Sequence, residues 1–217
     1  MNDMKLKYHG HWWLPKTEDL GLRWFDNPRG ERPEVIDAAL HHCRSRGVAL
    51  DCGAHVGTWT VELAKHFAHV HAFEPIPVTW WALCHNIQSR KVPFECATPW
   101  LAAVGARLGS CRPTFLSNAS MSSHLDDPGQ SGLVPMLTLD TVRWGSVSLI
   151  KLDVEGCEWH VLDGARGLIE AQHPTLVIEW KPGNLDKHGA YAGRIEALLD
   201  RCGYRLAEQL EIDRIYV

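Results

Sequence analysis

The chain has 217 residues, and its 22 Lys and Arg against 26 Asp and Glu give a formal net charge of −4. This length predicts one full domain with a small appendage, and 45% hydrophobic with 22% charged residues argues against a disordered or fibrous protein. The mild acidity argues against a bulk electrostatic nucleic-acid binder. No apolar run approaches the roughly 20 residues that a membrane helix needs. With seven isolated Cys residues and no signal peptide, we expect a cytoplasmic protein with reduced thiols.

Tryptophan is overrepresented, since the ten Trp outnumber the four Tyr and five Phe combined. Trp12, Trp13 and Trp24 lie within residues 1–33, a segment with several Pro and Gly and little hydrophobic periodicity. We interpret residues 1–33 as an N-terminal extension that packs over the active site of a domain formed by residues 34–217. A partly ordered tail is the alternative.

Helical and strand patterns alternate from residue 34 onward. The predicted helices are Glu34–Arg46, Thr58–Phe67, Val78–Ser89, Glu158–Ile169 and Tyr191–Arg201. The predicted strands are Val48–Asp51, His69–Phe73, Val92–Ala97, Ser148–Asp153, Leu176–Trp180, Tyr204–Glu208 and Arg214–Val217. This alternation predicts an α/β fold with a parallel sheet, closed by an antiparallel hairpin where no helix separates the last two strands. The polar residues 117–135 are predicted to form a lid or a binding loop.

A glycine turn follows the first of these strands, in the sequence Asp-Cys-Gly-Ala-His-Val-Gly-Thr that begins at Asp51. Gly53 and Gly57 allow backbone N–H groups to approach a ligand, and the helix that follows favours an anionic group at its N-terminus. Glu74 ends the second strand, 21 residues after Gly53. That spacing is typical of the acid that binds ribose hydroxyls.

Two cofactor classes use such an arrangement. A dinucleotide such as NAD needs G-x-G-x-x-G to pass its pyrophosphate, whereas this turn has two glycines four residues apart. The pattern therefore favours S-adenosylmethionine. Asp51 would take its ammonium group, directly or through water, Glu74 its ribose diol, and the Gly53–Gly57 backbone would lie along the methionine and ribose. A tight turn with no ligand is the alternative, against which the position of Glu74 argues.

Several motifs in chain order resemble the FkbM family of S-adenosylmethionine-dependent methyltransferases. They are Asp51–Thr60, Phe73-Glu74-Pro75, Leu139–Val142, Ile150–Glu158, Val161–Ala165 and Pro174 with Ile178-Glu179. The resemblance runs from about residue 48 to the closing Asp213–Val217 and excludes residues 1–33. It implies a class I Rossmann-like three-layer sandwich, with a mostly parallel seven-stranded sheet and an antiparallel C-terminal hairpin. His55 stands where the family usually has Asn.

The resemblance also implies a set of donor-binding residues. They are Asp51, Gly53, Ala54, His55, Gly57, Thr58, Glu74, Pro75, Ala102 and Asp153. Ala102 belongs to a segment that lies near the adenine in this family, where small side chains leave room for a flat ring. Simple strand packing is the alternative for that segment.

Lys151 and Asp153 alternate by two on one predicted strand, so their side chains share a face. Methyl transfer from a sulfonium needs alignment of the nucleophile above all, and a hydroxyl nucleophile benefits from a base. We predict that Asp153 lies nearest the reacting centre, as a base or as an orienter. Lys151 would hold Asp153, bind substrate or act as a base, and Glu179 is a second catalytic candidate. A structural ion-pair cluster is the alternative.

The acceptor is predicted less directly. The resemblance implies O-methylation of a hydroxyl on a sugar, a polyketide or another small metabolite, which releases S-adenosylhomocysteine. The candidate acceptor-binding residues are Glu155, His124, Trp12 and Trp13. The two tryptophans are included because aromatic faces stack on sugar rings. No metal-ligand triad is evident, so we expect no metal. The oligomeric state is open.

Two other functions stay open at this point. One is an RNA ribose 2′-O-methyltransferase, because Lys151, Asp153 and Glu179 resemble part of the Lys-Asp-Lys-Glu group of such enzymes. The overall acidity of the chain disfavours this nucleic-acid partner. The other is a non-catalytic module that binds S-adenosylmethionine, against which the Lys-x-Asp-x-Glu sequence argues.

Overall fold

The computed structural model describes residues 6–18, 22–112, 114–115, 121–122, 134–181, 183 and 191–217. The helices are α1 (Pro33–His42), α2 (Thr58–Leu63), α3 (Pro77–Ser89), α4 (Glu158–Asp163), α5 (Arg166–Gln172) and α6 (Tyr191–Arg201). The first seven strands are β1 (Leu6–His9), β2 (Trp12–Pro15), β3 (Val48–Cys52), β4 (His69–Phe73), β5 (Ala97–Trp100), β6 (Ala103–Val104) and β7 (Gly109–Cys111). The others are β8 (Thr114–Phe115), β9 (Met121–Ser122), β10 (Val134–Leu137), β11 (Val147–Leu152), β12 (Thr175–Glu179), β13 (Leu206–Leu210) and β14 (Asp213–Tyr216).

The main sheet has seven strands in the order β13-β14-β12-β11-β3-β4-β5. Strands β5, β4, β3, β11 and β12 are parallel, while β14 is antiparallel to both β12 and β13. Every residue of β11 and β12 is buried, as expected for central parallel strands covered on both faces. The predicted parallel sheet and its closing hairpin are confirmed. The carboxyl ends of β3, β4, β11 and β12 therefore lie along one edge.

Helices cover both faces of this sheet, as a three-layer sandwich requires. On one face, Ile36 of α1 and Trp59 of α2 share a hydrophobic cluster with Leu149 of β11. On the other face, helices α4, α5 and α6 bury their apolar residues in a cluster with Ile150 of the same strand. Successive residues of β11 point to opposite faces, so the sequence Leu149-Ile150 joins the two cores. No helix among the described residues is long and apolar enough to cross a membrane.

The strand predicted at Val92–Ala97 lies elsewhere. A short 3-10 helix covers Phe94–Cys96, and β5 begins only at Ala97. Pro93 precedes that helix and lacks the N–H that a paired strand needs. The edge position of β5 explains why it tolerates Pro99.

The helix predicted at Glu158–Ile169 is two helices, α4 and α5, broken at Gly164 and Ala165. The break depends on Asp140, whose carboxylate accepts hydrogen bonds from Gly167 N at 3.0 Å and Leu168 N at 2.8 Å. Asp140 N in turn donates to Gly164 O. The chain also approaches so closely here that a Cβ on Gly164 would lie 2.1 Å from Gly105 O. Asp140, part of the quoted family pattern, thus anchors the start of α5.

The N-terminal segment adds a hairpin that the sequence did not predict. Strands β1 and β2 are antiparallel, and β2 packs against α3. Asn86 of α3 joins the two, because it accepts a hydrogen bond from Trp13 N and donates to Trp13 O. Trp12 is fully buried beneath the hairpin, where its indole N–H donates to Asn27 O and the Arg90 guanidinium lies 4.2 Å from its ring centroid.

Candidate active site

The turn between β3 and α2 is fixed by close backbone contacts. Gly53 N and Ala54 N both donate to Phe73 O, at 3.0 and 2.9 Å, which joins the ends of β3 and β4. Gly53 has a φ of +80°, and a Cβ on this residue would lie 1.8 Å from Asp153 O. Glycine is therefore needed at position 53 for both its backbone conformation and its closeness to β11. The turn brings the donor motif and Asp153 together.

Asp51 is buried beneath this turn and already has partners. Thr60 Oγ1 donates to its Oδ2 at 2.7 Å, and Lys151 Nζ lies 3.3 Å from its Oδ1. Lys151 Nζ also donates to Gly53 O at 2.7 Å. Burial lowers the pKa of Lys151, but the carboxylates of Asp51 and Asp153 outweigh it and raise that pKa overall. Lys151 therefore stays cationic, and the structure does not support its predicted alternative role as a base.

Glu74 occupies the end of β4 and is 1% exposed. Its carboxylate accepts hydrogen bonds from His55 N at 3.0 Å and Ile76 N at 2.9 Å. Burial raises its pKa to about 7, although His55 and these two backbone donors act in the opposite direction. Each of its oxygens accepts only one of these two bonds, so the carboxylate retains acceptor capacity for a hydroxyl pair.

The N-terminal segment contacts His55, the residue whose backbone N–H binds this acid. His55 Nε2 lies 3.2 Å from Glu18 Oε2, and its ring centroid is 6.3 Å from that of Phe25. Burial lowers the pKa of His55, but the hydrogen bond and charge of Glu18 more than compensate and raise it. The residue that departs from the FkbM family pattern therefore contacts the extension.

This contact predicts a pH-dependent contribution to stability. Because the folded-state pKa of His55 is raised, its contribution is complete below the ordinary value of about 6.5 and is lost as pH rises through the folded value. We expect Glu18→Gln to lower the free energy of unfolding at pH 6 by about 0.5 kcal/mol, a small value because the ring is partly exposed. At pH 9 the variant and the wild type should coincide.

Urea unfolding at the two pH values measures this difference. Asp163→Asn serves as the control, because Asp163 pairs with Arg166 at 2.6 Å and an Arg partner does not titrate in this range. A deficit of Glu18→Gln that is as large at pH 9 as at pH 6 would contradict the assignment to His55.

A second group of charged residues lies at the ends of β11 and β12. Carboxylate oxygens of Asp153, Glu155 and Glu179 lie within 4.8 Å of one another. Lys181 Nζ is 2.8 Å from Glu179 Oε1 and 3.9 Å from Glu155 Oε1, while Lys151 Nζ is 3.5 Å from Asp153 Oδ2. Three clustered carboxylates are also a spacing that could hold a metal ion, so the expectation of no metal stays a prediction.

Asp153 and Glu179 differ in accessibility and in proton affinity. The Asp153 side chain is 23% exposed, whereas that of Glu179 is 3% exposed. Burial and the neighbouring Asp153 raise the pKa of Glu179 to about 8, against the effect of Lys181. Burial also raises the pKa of Asp153, but Lys151, Arg32, Lys181 and a hydrogen bond with Glu179 lower it overall. At neutral pH the proton of the pair therefore resides on Glu179, and Asp153 is ionised.

Two further residues complete this edge. Arg32, just before α1, contacts Glu179 Oε1 at 3.5 Å through Nη2 and pairs with Asp213 Oδ2 through Nη1. Asp213 begins β14 and is the register partner of Glu179. Burial raises its pKa to about 6, while Arg32 acts to lower it. No motif links these distant segments, so the sequence does not indicate Arg32, Lys181 and Asp213 as site residues.

The predicted acceptor residues have different outcomes. The structure does not support a place for Trp12 in an acceptor pocket, because its ring has no exposed face. Trp13 is half-buried and packs beside Tyr8 and His85 on the hairpin and α3. Glu155 lies in the carboxylate cluster. His124 and most of the predicted loop 117–135 lie outside the described residues.

The remaining predicted donor residues come from the glycine turn and from the segments after β4 and β5. Ala54 and Thr58 are buried and Pro75 is half-buried, each next to a strand end described above. Gly57 has a φ of +92°, and a Cβ there would lie 2.5 Å from Leu83 Cδ1. Ala102, which follows β5, is also buried. Their contact with a donor stays a prediction.

The seven-stranded sheet, with its glycine turn and the acids at the strand ends, is that of a class I methyltransferase fold. The chain belongs to the FkbM methyltransferase family, because the family described as "Methyltransferase FkbM domain" matches residues 51–206. Among curated proteins, none matches the sequence significantly.

Several solved methyltransferase structures resemble this chain. Methyltransferase FkbM from Methylobacillus flagellatus KT superposes with a TM-score of 0.53 and 18% identity, covering 77% of this chain and 42% of that one. The chain therefore spans less than half the length of that relative. Precorrin-6y C5,15-methyltransferase from Geobacter metallireducens GS-15 has a TM-score of 0.48 and 14% identity, with coverage of 84% and 86%. Magnesium protoporphyrin IX methyltransferase from Synechocystis PCC 6803 has a TM-score of 0.47 and 14% identity, with coverage of 85% and 75%.

Proposed function

We propose that this protein is an S-adenosylmethionine-dependent methyltransferase that methylates a hydroxyl group of a sugar, a polyketide or another small metabolite. The observation that carries the proposal is the pair formed by Asp153 and Glu179. An ionised, accessible carboxylate lies beside a buried carboxyl whose pKa is about 8, directly next to the turn at Gly53. Carboxyl groups pushed apart in pKa at one site are typical of acid and base assignments.

The residues around the turn fit the donor. Glu74 is held at the strand end by two backbone N–H groups and retains acceptor capacity for the ribose hydroxyls. The buried Asp51 Oδ1 has an ion-pair contact with Lys151 but accepts no hydrogen bond of good geometry. That oxygen would suit the ammonium group of S-adenosylmethionine, directly or through a bridging water. When bound, S-adenosylmethionine supplies an activated methyl group on its sulfonium.

The protein's own residues would then align the acceptor and take its proton. Asp153, the more exposed acid, accepts the hydrogen bond of the acceptor hydroxyl and orients its oxygen. Lys151, hydrogen-bonded to Gly53 O, holds Asp153 against the donor turn. Glu179 has a pKa of about 8, so its ionised form, which predominates above that pH, acts as the general base and receives the proton through Asp153.

The charge of the edge favours a small neutral or cationic acceptor over RNA. The acids there are Asp51, Asp153, Glu155, Glu179 and Asp213, and the cations are Lys151, Lys181 and Arg32. With Glu179 protonated at neutral pH, four carboxylates face three cations, so this edge has no excess of positive charge to attract phosphodiesters. The RNA alternative is therefore disfavoured for an electrostatic reason.

Two measurements test the proposal. Calorimetry with S-adenosylmethionine measures donor binding, and tritiated methyl transfer to fractionated glycan, small-metabolite and RNA pools identifies the acceptor class. We expect label in a small-metabolite or glycan fraction. Label in RNA alone would overturn the acceptor class. Donor binding with no transfer to any fraction would instead indicate a non-catalytic binding module.

The raised pKa of Glu179 predicts the pH profile of this transfer. Below about pH 8 Glu179 is protonated, so the rate should rise about tenfold per pH unit and level off above pH 8. Glu179→Gln should lower the rate at pH 8.5 by about 100-fold and remove this slope. The assay is methyl transfer to the fraction that the wild type labels, followed from pH 6 to 9.5.

Glu196→Gln is the matched control, because Glu196 also pairs with an arginine, at 3.2 Å from Arg214, but lies on α6. It should retain both the rate and the slope. A Glu179→Gln variant that keeps the wild-type slope would remove Glu179 from the proton transfer.

A further inference from the structure

Arg32, near the end of the N-terminal extension, contacts two acids at the proposed transfer site. Arg32 is the residue before α1, and its backbone adopts a left-handed conformation with a φ of 46°. This conformation is uncommon for a residue other than glycine and persists only where surrounding contacts enforce it. The side chain is 13% exposed. A charged side chain this buried, on a strained backbone, is held by its partners.

The partners of Arg32 lie on two neighbouring strand ends. Its Nη1 pairs with Asp213 Oδ2, its Nη2 lies 3.5 Å from Glu179 Oε1, and its Nε lies 3.2 Å from Glu31 Oε1. Glu179 ends β12 and Asp213 begins the antiparallel β14, where the two are register partners. The guanidinium therefore bridges the parallel part of the sheet to its C-terminal hairpin.

We propose that Arg32 is a positioning residue for methyl transfer: its guanidinium fixes Glu179 and Asp213 so that Glu179 faces Asp153. This inference rests on the proposed function. Both Arg32 Nη2 and Lys181 Nζ contact Oε1 of Glu179, so the two cations hold one oxygen of the carboxyl group. These two contacts orient the second oxygen of Glu179, Oε2. An extension outside the family match thereby supplies part of the site.

An arginine suits this position better than a lysine. Its planar guanidinium presents donors in several directions and can contact two carboxylates at once, whereas an ammonium is a compact point charge. Arg32 also acts on the charges nearby, since it lowers the pKa of both Asp153 and Asp213. Loss of Arg32 should therefore change both the geometry and the titration of this edge.

Several other charged groups surround Asp153 and Asp213, the two carboxylates whose pKa Arg32 lowers, and these groups must be kept unchanged in the test. Around Asp153 they are Lys151, Lys181, Glu155, Glu158, Glu179 and Asp213. Around Asp213 they are Asp153, Lys151, Glu31 and Glu179. Substitution of Arg32 alone leaves all of these in place. A change in titration can then be assigned to the loss of one cation.

The test compares Arg32→Gln and Arg32→Lys with the control Arg29→Gln. Arg29 belongs to the same extension and also bridges two acids, but these are Asp37 and Glu62 and not the acids that Arg32 contacts. Carbon-13 NMR titration of the aspartate carboxyls reports Asp213 directly, with Asp213→Asn used to assign its signal. Methyl transfer to the fraction that the wild type labels gives kcat, and calorimetry gives the affinity for S-adenosylmethionine.

We expect the Asp213 titration, near pH 6 in the wild type, to move upward by roughly one pH unit in Arg32→Gln. The kcat should fall at least tenfold, and the donor affinity should not change. Arg32→Lys should restore the Asp213 titration but only part of kcat, because it keeps the charge and loses the bridge. Arg29→Gln should match the wild type in all three measurements.

The outcomes are distinguishable. A wild type that does not bind S-adenosylmethionine overturns the proposed function. A wild type that binds and transfers, with an Arg32→Gln variant of unchanged kcat, overturns the role of Arg32 alone. So does a loss of kcat in Arg29→Gln that equals the loss in Arg32→Gln. If Arg32→Gln fails to fold, Arg32→Lys decides, since full kcat in that variant contradicts the bridge.

Discussion

Replacing Asp153 with Asn should reduce methyl transfer by about 100- to 1,000-fold while the affinity for S-adenosylmethionine stays within about threefold of the wild type. Asp153 is the more accessible acid of its pair with Glu179, and its charge is maintained by Lys151, Arg32 and Lys181. The amide keeps the size of the side chain but not its charge. The loss should therefore fall on kcat, because the variant no longer orients the acceptor hydroxyl or passes on its proton.

The same variant should change its neighbour in a defined direction. Asp153 raises the pKa of Glu179 to about 8 by like-charge repulsion, second only to burial. Removing that charge should lower the pKa of Glu179, which carbon-13 NMR titration of the glutamate carboxyls measures. Asp140→Asn is an unsuitable control because Asp140 anchors α5, so Asp163→Asn is used instead. An active Asp153→Asn enzyme would exclude Asp153 from the chemical step.

The central strands of the fold could be predicted because burial on both faces leaves a signal in the sequence. His69–Phe73 has the predicted bounds, and β11 and β12 differ from the prediction by one residue at each end. Elements whose bounds depend on distant contacts could not be predicted in the same way. The break between α4 and α5 is set by the carboxylate of Asp140, which no local pattern of hydrophobicity reveals.

The candidate site shows the same division. Asp51, Gly53, Glu74 and Asp153 follow strand patterns directly, and parallel strands bring their carboxyl ends to one edge, so their proximity could be predicted. Arg32 could not, because it comes from the extension and reaches the edge only through the packing of α1 and the strained backbone before it. Its partner Asp213 lies 181 residues away along the chain. The full burial of Trp12 could not be predicted either, because a sequence does not distinguish a buried tryptophan from an exposed one.

The glycine turn supplies the second large prediction, Gly53→Ala. At a φ of +80° an alanine is strained, and its Cβ would lie 1.8 Å from Asp153 O. The obstacle is backbone rather than a flexible side chain, so the ends of β3 and β11 must separate. We expect the free energy of unfolding to fall by about 3 kcal/mol or more. In the turn, Gly53 N and Ala54 N donate to Phe73 O, and His55 N donates to Glu74. A displaced turn would therefore also displace Glu74, so binding of S-adenosylmethionine should weaken at least 100-fold.

Gly193→Ala gives the matched control. Gly193 lies in α6, and nothing lies within 4 Å of a Cβ built on it. Alanine is favoured over glycine within a helix by up to about 1 kcal/mol, so this variant should be as stable as the wild type or more stable. Urea unfolding and calorimetry with S-adenosylmethionine measure both variants. If Gly53→Ala binds the donor with wild-type affinity, the close approach of this turn to β11 is not what shapes the donor site.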